Sequence, residues 1–274
     1  MVVAKIDNTY TRVEQFGLSS ADVVFVEQVE GGLTRLIAVF HSDLDVEVGP
    51  VRSVRTTDVQ MLPVFGPAPI LVFSGGNDGV LASLHTTSII DSSGFGGYFR
   101  SAAATGTYNL HANLATVAGQ ARGSSPARSI GFDFIGADPR VGRGPTVTRI
   151  AAVMQSGRTD FSFRDGHFVR TRSGNVVIDY QGRPQVADNV VIQHVTDQPD
   201  GYVDSTGSPS YLSITVGTGK ITLLRDGHAI EGTWRRSAAG LPFSYTDDAG
   251  RALPFKPGKT WVILAPQSAA ITLY

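Results

Sequence analysis

From about residue 146 to the C-terminus, apolar and polar residues alternate almost without pause, and short Gly-containing turns interrupt the pattern. A period of two matches a pleated strand with one buried face, and it leaves no room for a long amphipathic helix. Within this stretch Phe161–Arg170 turns at Asp165-Gly166, and Leu223–Ile230 turns at Asp226-Gly227. Asp-Gly is a strong short-range hairpin signal because both residues of a type I′ turn need positive φ. A further turn falls at Asp248-Ala249-Gly250, and Trp234 and Trp261 are the natural core anchors. The C-terminal half is thus expected to be an antiparallel sheet or small barrel. The two Arg-Asp-Gly-His turns invite reading as a repeated ligand loop, but turn chemistry alone accounts for them.

The N-terminal part mixes periods. Val2–Ile6 reads as a strand, and Asp22–Val29 with Leu33–His41 as a pair joined at Glu30-Gly31-Gly32, where Gly-Gly supplies positive φ. Thr56–Phe65 reads as a helix with Thr56 or Thr57 as N-cap and Asp58 near the positive dipole end. Ile70–Phe73 is short and continuously apolar, as in a strand buried on both faces. Asp78–Leu84 and Leu110–Ala121 read as helices. Gly123 to Pro145 is rich in Gly, Ser, Pro and Arg without a period and reads as a connection between domains. The expected fold is therefore α+β: a mixed α/β N-terminal domain over 1–125, a connecting segment over 126–145, and an antiparallel β-rich C-terminal domain over 146–274.

Among 274 residues, 42% hydrophobic and 17% charged content describe a globular chain able to bury a full core. A formal net charge of −1 argues against a nucleic-acid binder that relies on bulk electrostatics. With no cysteine, structural disulfides, thiolate catalysis and cysteine-ligated zinc are excluded. No run approaches the roughly 20 apolar residues of a membrane-spanning helix. The chain enters its first strand at once, without the basic-then-apolar pattern of a secretion signal, as expected of a cytosolic protein or of one trimmed to its first strand.

Charge is unusually dense around one apolar strand. Glu27 and Glu30 precede the Gly-Gly turn, Arg35 opens the strand Leu36–Phe40, and Gly49-Pro50-Val51-Arg52-Ser53-Val54-Arg55 adds two more arginines. Asp7 and Asn8 end the first strand. This set suggests a polar cleft for an anionic group, because arginine meets carboxylate or phosphate with two parallel hydrogen bonds. The competing reading is an ion-pair network in which Glu30 and Arg35 tie the hairpin and Arg52 or Arg55 neutralises Asp7 or Glu27. Arg52 and Arg55, three apart, share a face if helical; if extended they diverge and one alone enters the site. Ser74-Gly75-Gly76-Asn77-Asp78-Gly79 follows a buried strand and precedes a helix, a position where open α/β sheets bind ligands. It matches neither phosphate-loop fingerprint.

The six histidines show no paired metal-ligand spacing, and no serine lies in G-x-S-x-G. No metal or cofactor is expected. A pair of carboxylates, Asp7 with Glu27 or Glu30, would suit a hydrolase chemically, but the sequence does not set their separation.

The ordered motifs Ile6-Asp7-Asn8, Gly17-Leu18-Ser19, Val29–Arg35, Gly49–Arg55, Gly75-Gly76, Tyr98-Phe99-Arg100 with Asn109-Leu110, Asn189–Gln193, Arg225-Asp226-Gly227 with Glu231-Gly232-Thr233-Trp234, and Pro257–Trp261 resemble the YerB-like family. These are bacterial envelope lipoproteins of undefined molecular role. The resemblance spans nearly the whole chain. It implies a mixed N-terminal domain, a β-rich C-terminal domain, and a lipoprotein signal and linker upstream, so that membrane contact is through the lipid anchor only. It adds Arg100 and Asn109 to the candidate ligand-binding residues Asp7, Asn8, Glu27, Glu30, Arg35, Arg52, Arg55, Ser74, Gly75, Gly76 and Asn77. Two departures stand out: Phe73 and Tyr108 occupy positions where histidine is usual in similar proteins, and His111 lies three residues on.

The expected function is a non-catalytic module binding an anionic cell-wall component or an envelope partner. The alternative is a carboxylate-dependent enzyme acting on wall or phosphate-linked glycan. A purely structural polar cluster is the third reading.

Overall fold

The computed structural model describes residues 1–9, 14–104, 106–204 and 206–274. It is mostly β, with few and short helices. The first three strands, β1 (Val2–Asp7), β2 (Val23–Gln28) and β3 (Thr34–Phe40), form an antiparallel trio in which β3 lies between the other two. The β2–β3 connection is a single 3₁₀ turn in which Gly31 and Gly32 take φ of 66° and 69°, as the Gly-Gly signal requires. Ile70–Val72 adds parallel to β1, and Ile90–Asp91 closes that edge.

The other edge of the trio does not face solvent. β2 pairs in parallel with Thr260–Pro266, which pairs in parallel with Asn189–Val203. From there Gly217–Arg225, His228–Arg236 and Ser244–Thr246 continue antiparallel. One eleven-stranded sheet therefore runs through both halves of the chain. The expected C-terminal antiparallel sheet is corrected at Thr260–Pro266. This strand has all seven residues buried and lies parallel to both neighbours at the centre of the sheet, where continuous apolar runs belong. The Asp-Gly hairpins form as read, with positive φ at Asp165, Gly166, Asp226 and Gly227.

A second sheet, of six strands, is built on Arg149–Met154, Gly157–Arg164, His167–Arg172 and Ala270–Leu273, with two short pairings beyond them. It covers one face of the large sheet: Ile150, Ala152, Met154, Phe161 and Phe168 meet Ala4, Ile6, Leu36, Ala38 and Trp261 in one core. On the opposite face Val3, Phe25, Ile37, Val39, Leu71 and Trp234 pack under Met61, Leu62, Phe65, Val80 and Leu84. The two tryptophans thus anchor opposite faces.

Helix α1 (Thr56–Met61) continues as a 3₁₀ turn through Phe65, and α2 (Asp78–His85) follows the Ile70–Val72 strand. The N-cap of α1 is Arg55, one residue before the expected Thr56 or Thr57. Its backbone N–H donates to Asp58 Oδ2 at 2.7 Å, so the third helical residue does the capping from inside. The threonines are used elsewhere, as described below. The helix expected over Leu110–Ala121 starts later: Leu110–Asn113 is a strand paired with Tyr98–Arg100 and Glu47-Val48, and α3 spans Leu114–Gln120. Asn113 caps it, accepting from the Thr116 N–H at 2.8 Å, and that cap sets where the helix begins.

Candidate functional site

Side chains alternate across a strand, so Val3, Lys5 and Asp7 of β1 share a face with Phe25 and Glu27 of β2 and with Arg35 and Ile37 of β3. Asp7, Arg35 and Glu27 lie in one register row: Arg35 stands between two acids on neighbouring strands. Neither acid pairs with it. Glu27 is fully buried and bonded to Lys5, whose Nζ also donates to Asp58 Oδ1 at 2.9 Å. Burial pushes Glu27 up to about 7, against the pull of the Lys5 ammonium. Asp7 accepts from Arg52 Nε and from the Thr9 N–H and hydroxyl. Glu30 is claimed by Arg55, which donates through Nε at 2.9 Å and Nη2 at 2.8 Å while its Nη1 donates to Val54 O.

One pairing is among those read in the sequence, Asp7 with Arg52, and the others differ: Glu30 holds Arg55, not Arg35, and Glu27 holds Lys5. Among the described residues, Arg35 Nε and Nη1 are buried without a hydrogen-bond partner. Burial, then repulsion from Arg55 and Arg52, outweigh Asp7 and Glu30 and pull the guanidinium down to about 10. A cation in that condition gains from any anion that reaches it.

Arg35 lines a cleft of about 540 Å³ with Glu30, Arg55, Ser53, Gly76, Asn77 and Asp78. Its walls are apolar at Val29, Leu33, Val54 and Val80. The far side comes from an unforeseen element. The strand Asn189–Val203 runs out of the large sheet and pairs with Pro209–Ile214 as a two-stranded arm, with a register shift between Pro199 and Val203. The arm lies against α1 and brings Tyr202, Val203, Asp204 and Ser210 to the cleft. Asp200 Oδ2 accepts from Thr56 Oγ1 at 2.6 Å and from Ser210 Oγ at 3.0 Å, and Thr57 Oγ1 accepts from the Ser213 N–H at 3.0 Å. Gly76 is required here, because a Cβ would sit 2.8 Å from Val54 Cγ1.

Of the candidate residues, Glu30, Arg35, Arg55, Gly76 and Asn77 meet in this cleft. Arg52 and Arg55 lie outside the helix and diverge: Arg55, on extended backbone, enters the cleft, and Arg52 pairs with Asp7. Ser74 and Gly75 brace its rim through backbone bonds, Ser74 N–H to Arg52 O and Val54 N–H to Gly75 O. Asp7, Arg52 and the buried Glu27 lie outside the lining. Asn8 is part of a different cluster: its Nδ2 donates to Thr34 Oγ1 at 2.8 Å and its Oδ1 accepts from buried Arg170 of the second sheet. Arg100 and Asn109 bond each other at 2.8 Å on an exposed hairpin outside the cleft lining. His111 is fully buried, with Nδ1 2.5 Å from Glu47 Oε1 and its ring edge-on to Phe16.

Lys5, Asp58, Tyr202 and Asp204 were not read as site residues. Lys5 had a signal: a lone charge flanked by Val2, Val3, Ala4 and Ile6 in a strand must find a buried partner.

The domain models of one family cover most of the chain. The model described as "Protein of unknown function (DUF3048) N-terminal domain" matches residues 1–127, and its C-terminal counterpart matches residues 149–262. The chain belongs to the DUF3048 family. A relative from Bacillus subtilis (strain 168), named "Putative lipoprotein YerB", is 27% identical over 300 residues, covering 99% of this chain and 83% of the relative. The crystal structure of YerB from Bacillus subtilis superposes with a TM-score of 0.78 at 23% identity, covering 99% of this chain and 93% of that one. The YerB-like resemblance read from the motifs is therefore correct, and this DUF3048 member shares the YerB fold.

Proposed function

We propose that this DUF3048 member is a non-catalytic binding module of the bacterial envelope, held there as a lipoprotein, whose cleft seats an anionic group of its ligand on Arg35. The observation that carries this reading is the Arg35 guanidinium, largely buried and unpaired among the described residues, in the lining of an open cleft. A cation left without a partner while three nearby acids are bound to other cations makes sense as a receptor for an anion from outside. The relative named as a lipoprotein supports the envelope location. The mixed α/β character expected of the N-terminal half reduces, among the described residues, to three short α-helices, two of them covering one face of the shared sheet.

The alternative of a two-carboxylate glycan enzyme is less well supported. Asp7, Glu27 and Glu30 are 3%, 0% and 7% exposed, and each is engaged by a cation. Acid–base chemistry on a sugar needs such groups within reach of the scissile bond.

The test compares Arg35→Gln with Arg52→Ala. Arg35→Gln removes an uncompensated cation and should leave the melting temperature unchanged or raise it, while abolishing thermal-shift responses to carboxylate and phosphate panels. Arg52→Ala leaves Asp7 short of its cation and should cost about 2 kcal/mol, below the full range for a buried pair because Arg52 is 17% exposed. Its ligand response should persist. A large stability loss in Arg35→Gln with the responses intact would make the guanidinium architectural.

A further inference from the structure

The charge around the cleft narrows the ligand class, an inference that rests on the binding role of Arg35 proposed above. Two arginines and three carboxylates line the cleft, so it is not a basic groove. Arg55 is spent on Glu30 and Val54, which among the described residues leaves Arg35 as the lining cation without a carboxylate partner. The remaining acids are Asp78 and Asp204. Asp78 is the first residue of α2, is exposed, and makes no side-chain bond among the described residues. Asp204 accepts the Thr206 N–H, the Thr206 hydroxyl and the Ser208 N–H, all on Oδ1, and its Oδ2 makes no bond among the described residues. Those donors hold its carboxyl below the ordinary aspartate range, with Arg55 adding to the effect, so Asp204 is ionised at neutral pH.

A polyanion seated on Arg35 would share the cleft with Asp78 and Asp204, neither of them in an ion pair among the described residues, and like charges in one cleft are unfavourable. One negative group is favoured there, and a positive group is favoured across the cleft. The same lining includes Val29, Leu33, Val54, Val80 and Val203, with the Tyr202 ring packed over Gly79, surfaces that suit aliphatic carbon rather than a run of hydroxyls. We infer that the ligand is a zwitterion of peptide type, with one carboxylate on Arg35, an ammonium group toward Asp78 and Asp204, and apolar carbon between them. A volume of about 540 Å³ accommodates a short peptide or a large amino acid.

The experiment uses the full chain and randomised tripeptide mixtures in three forms: free, N-acetylated, and C-terminally amidated. Binding is followed by calorimetry and by amide chemical shifts, with inorganic phosphate and citrate as polyanion probes. The free mixture should bind. Blocking either terminus should weaken binding by about tenfold or more, since each block removes one charge-assisted contact. Arg35→Gln should remove the preference for a free carboxylate. Asp204→Asn keeps an Oδ1 acceptor for the turn, so the fold is preserved; combined with Asp78→Asn it should remove the preference for a free amine and leave affinity for the N-acetylated mixture unchanged. Tighter binding of phosphate or citrate than of free peptides would overturn the zwitterion assignment while sparing the anion-receptor role. Equal binding of free and N-acetylated mixtures would do the same. Absence of binding by every probe would overturn both.

Discussion

Glu27 is fully buried against Lys5, whose ammonium it shares with Asp58, and its second oxygen accepts no hydrogen bond among the described residues. Burial favours the neutral acid and the ammonium favours the ion; burial wins, and the carboxyl moves from 4.5 to about 7. A carboxyl raised on folding adds stability that is fully present below its unfolded value and is lost as pH rises through the folded value. The window is therefore about pH 4.5 to 7. Glu27→Gln retains an acceptor for Lys5 without the charge, so it should gain on the wild type between pH 5 and pH 8, on the order of 2 kcal/mol. Thermal melts of both proteins across that range measure it; a difference that stays flat with pH would show Glu27 ionised throughout. At this scale the sequence was half legible. The crowding of acids and arginines on β1–β3 and the Arg52–Arg55 loop was visible, because charges beside a core strand must be organised. Which acid takes which cation was not, since Lys5, Asp58 and Glu27 meet only when α1 is laid over the sheet.

At the scale of elements, the arm decides whether the cleft has a second wall. Its hydrogen bonds to the body of the protein run onto α1 among the described residues, Asp200 to Thr56, Thr57 to Ser213, and Gln60 to Thr215 just beyond the arm, while Tyr202 packs on Gly79 of α2. This is why Thr56 and Thr57 do not cap the helix: their hydroxyls hold the arm. Thr56→Ala removes a bond to a charged acceptor, a loss of about 1.5 kcal/mol, close to a tenfold change in local opening. Amide hydrogen exchange should therefore speed up by about that factor over 197–214, with the large sheet unaffected. Exchange unchanged in the arm would show that packing alone holds it. The sequence announced the Asp-Gly hairpins because their turn chemistry is local. The arm went unread because nothing local marks where one strand leaves its sheet partners and takes up another. The Asp200-Gly201 pair looks like an ordinary turn, and only the register shift at Pro199–Val203 shows that the strand continues.

For the molecule as a whole, two family segments share one sheet. The joint is the parallel pairing of Val23, Val24, Phe25 and Val26 with Thr260, Trp261, Val262 and Ile263, and every one of these residues except Val23 is buried. Both cores cross it, since Val24 and Trp261 belong to one and Phe25 and Val262 to the other. Residues 1–127 alone would expose β2 as a long, apolar edge and uncover the face that the second sheet shields, the condition under which strands aggregate. Composition and turn spacing distinguish the halves in the sequence, but a strand pairing across more than two hundred residues leaves no local trace. The connecting segment, read as a linker, is likewise held: Arg128 donates to Pro63, Val64 and Gly240 carbonyls, and Asp133-Phe134 pairs with Pro254-Phe255. The full chain should therefore unfold in a single calorimetric transition, with van't Hoff and calorimetric enthalpies agreeing. The separate segments should be insoluble or unfolded and recover native near-ultraviolet dichroism only when co-expressed. Two resolved transitions, or a soluble, cooperatively folding 1–127 fragment, would mean that the joint is a docking contact between independent domains, and the cleft would then open and close with it.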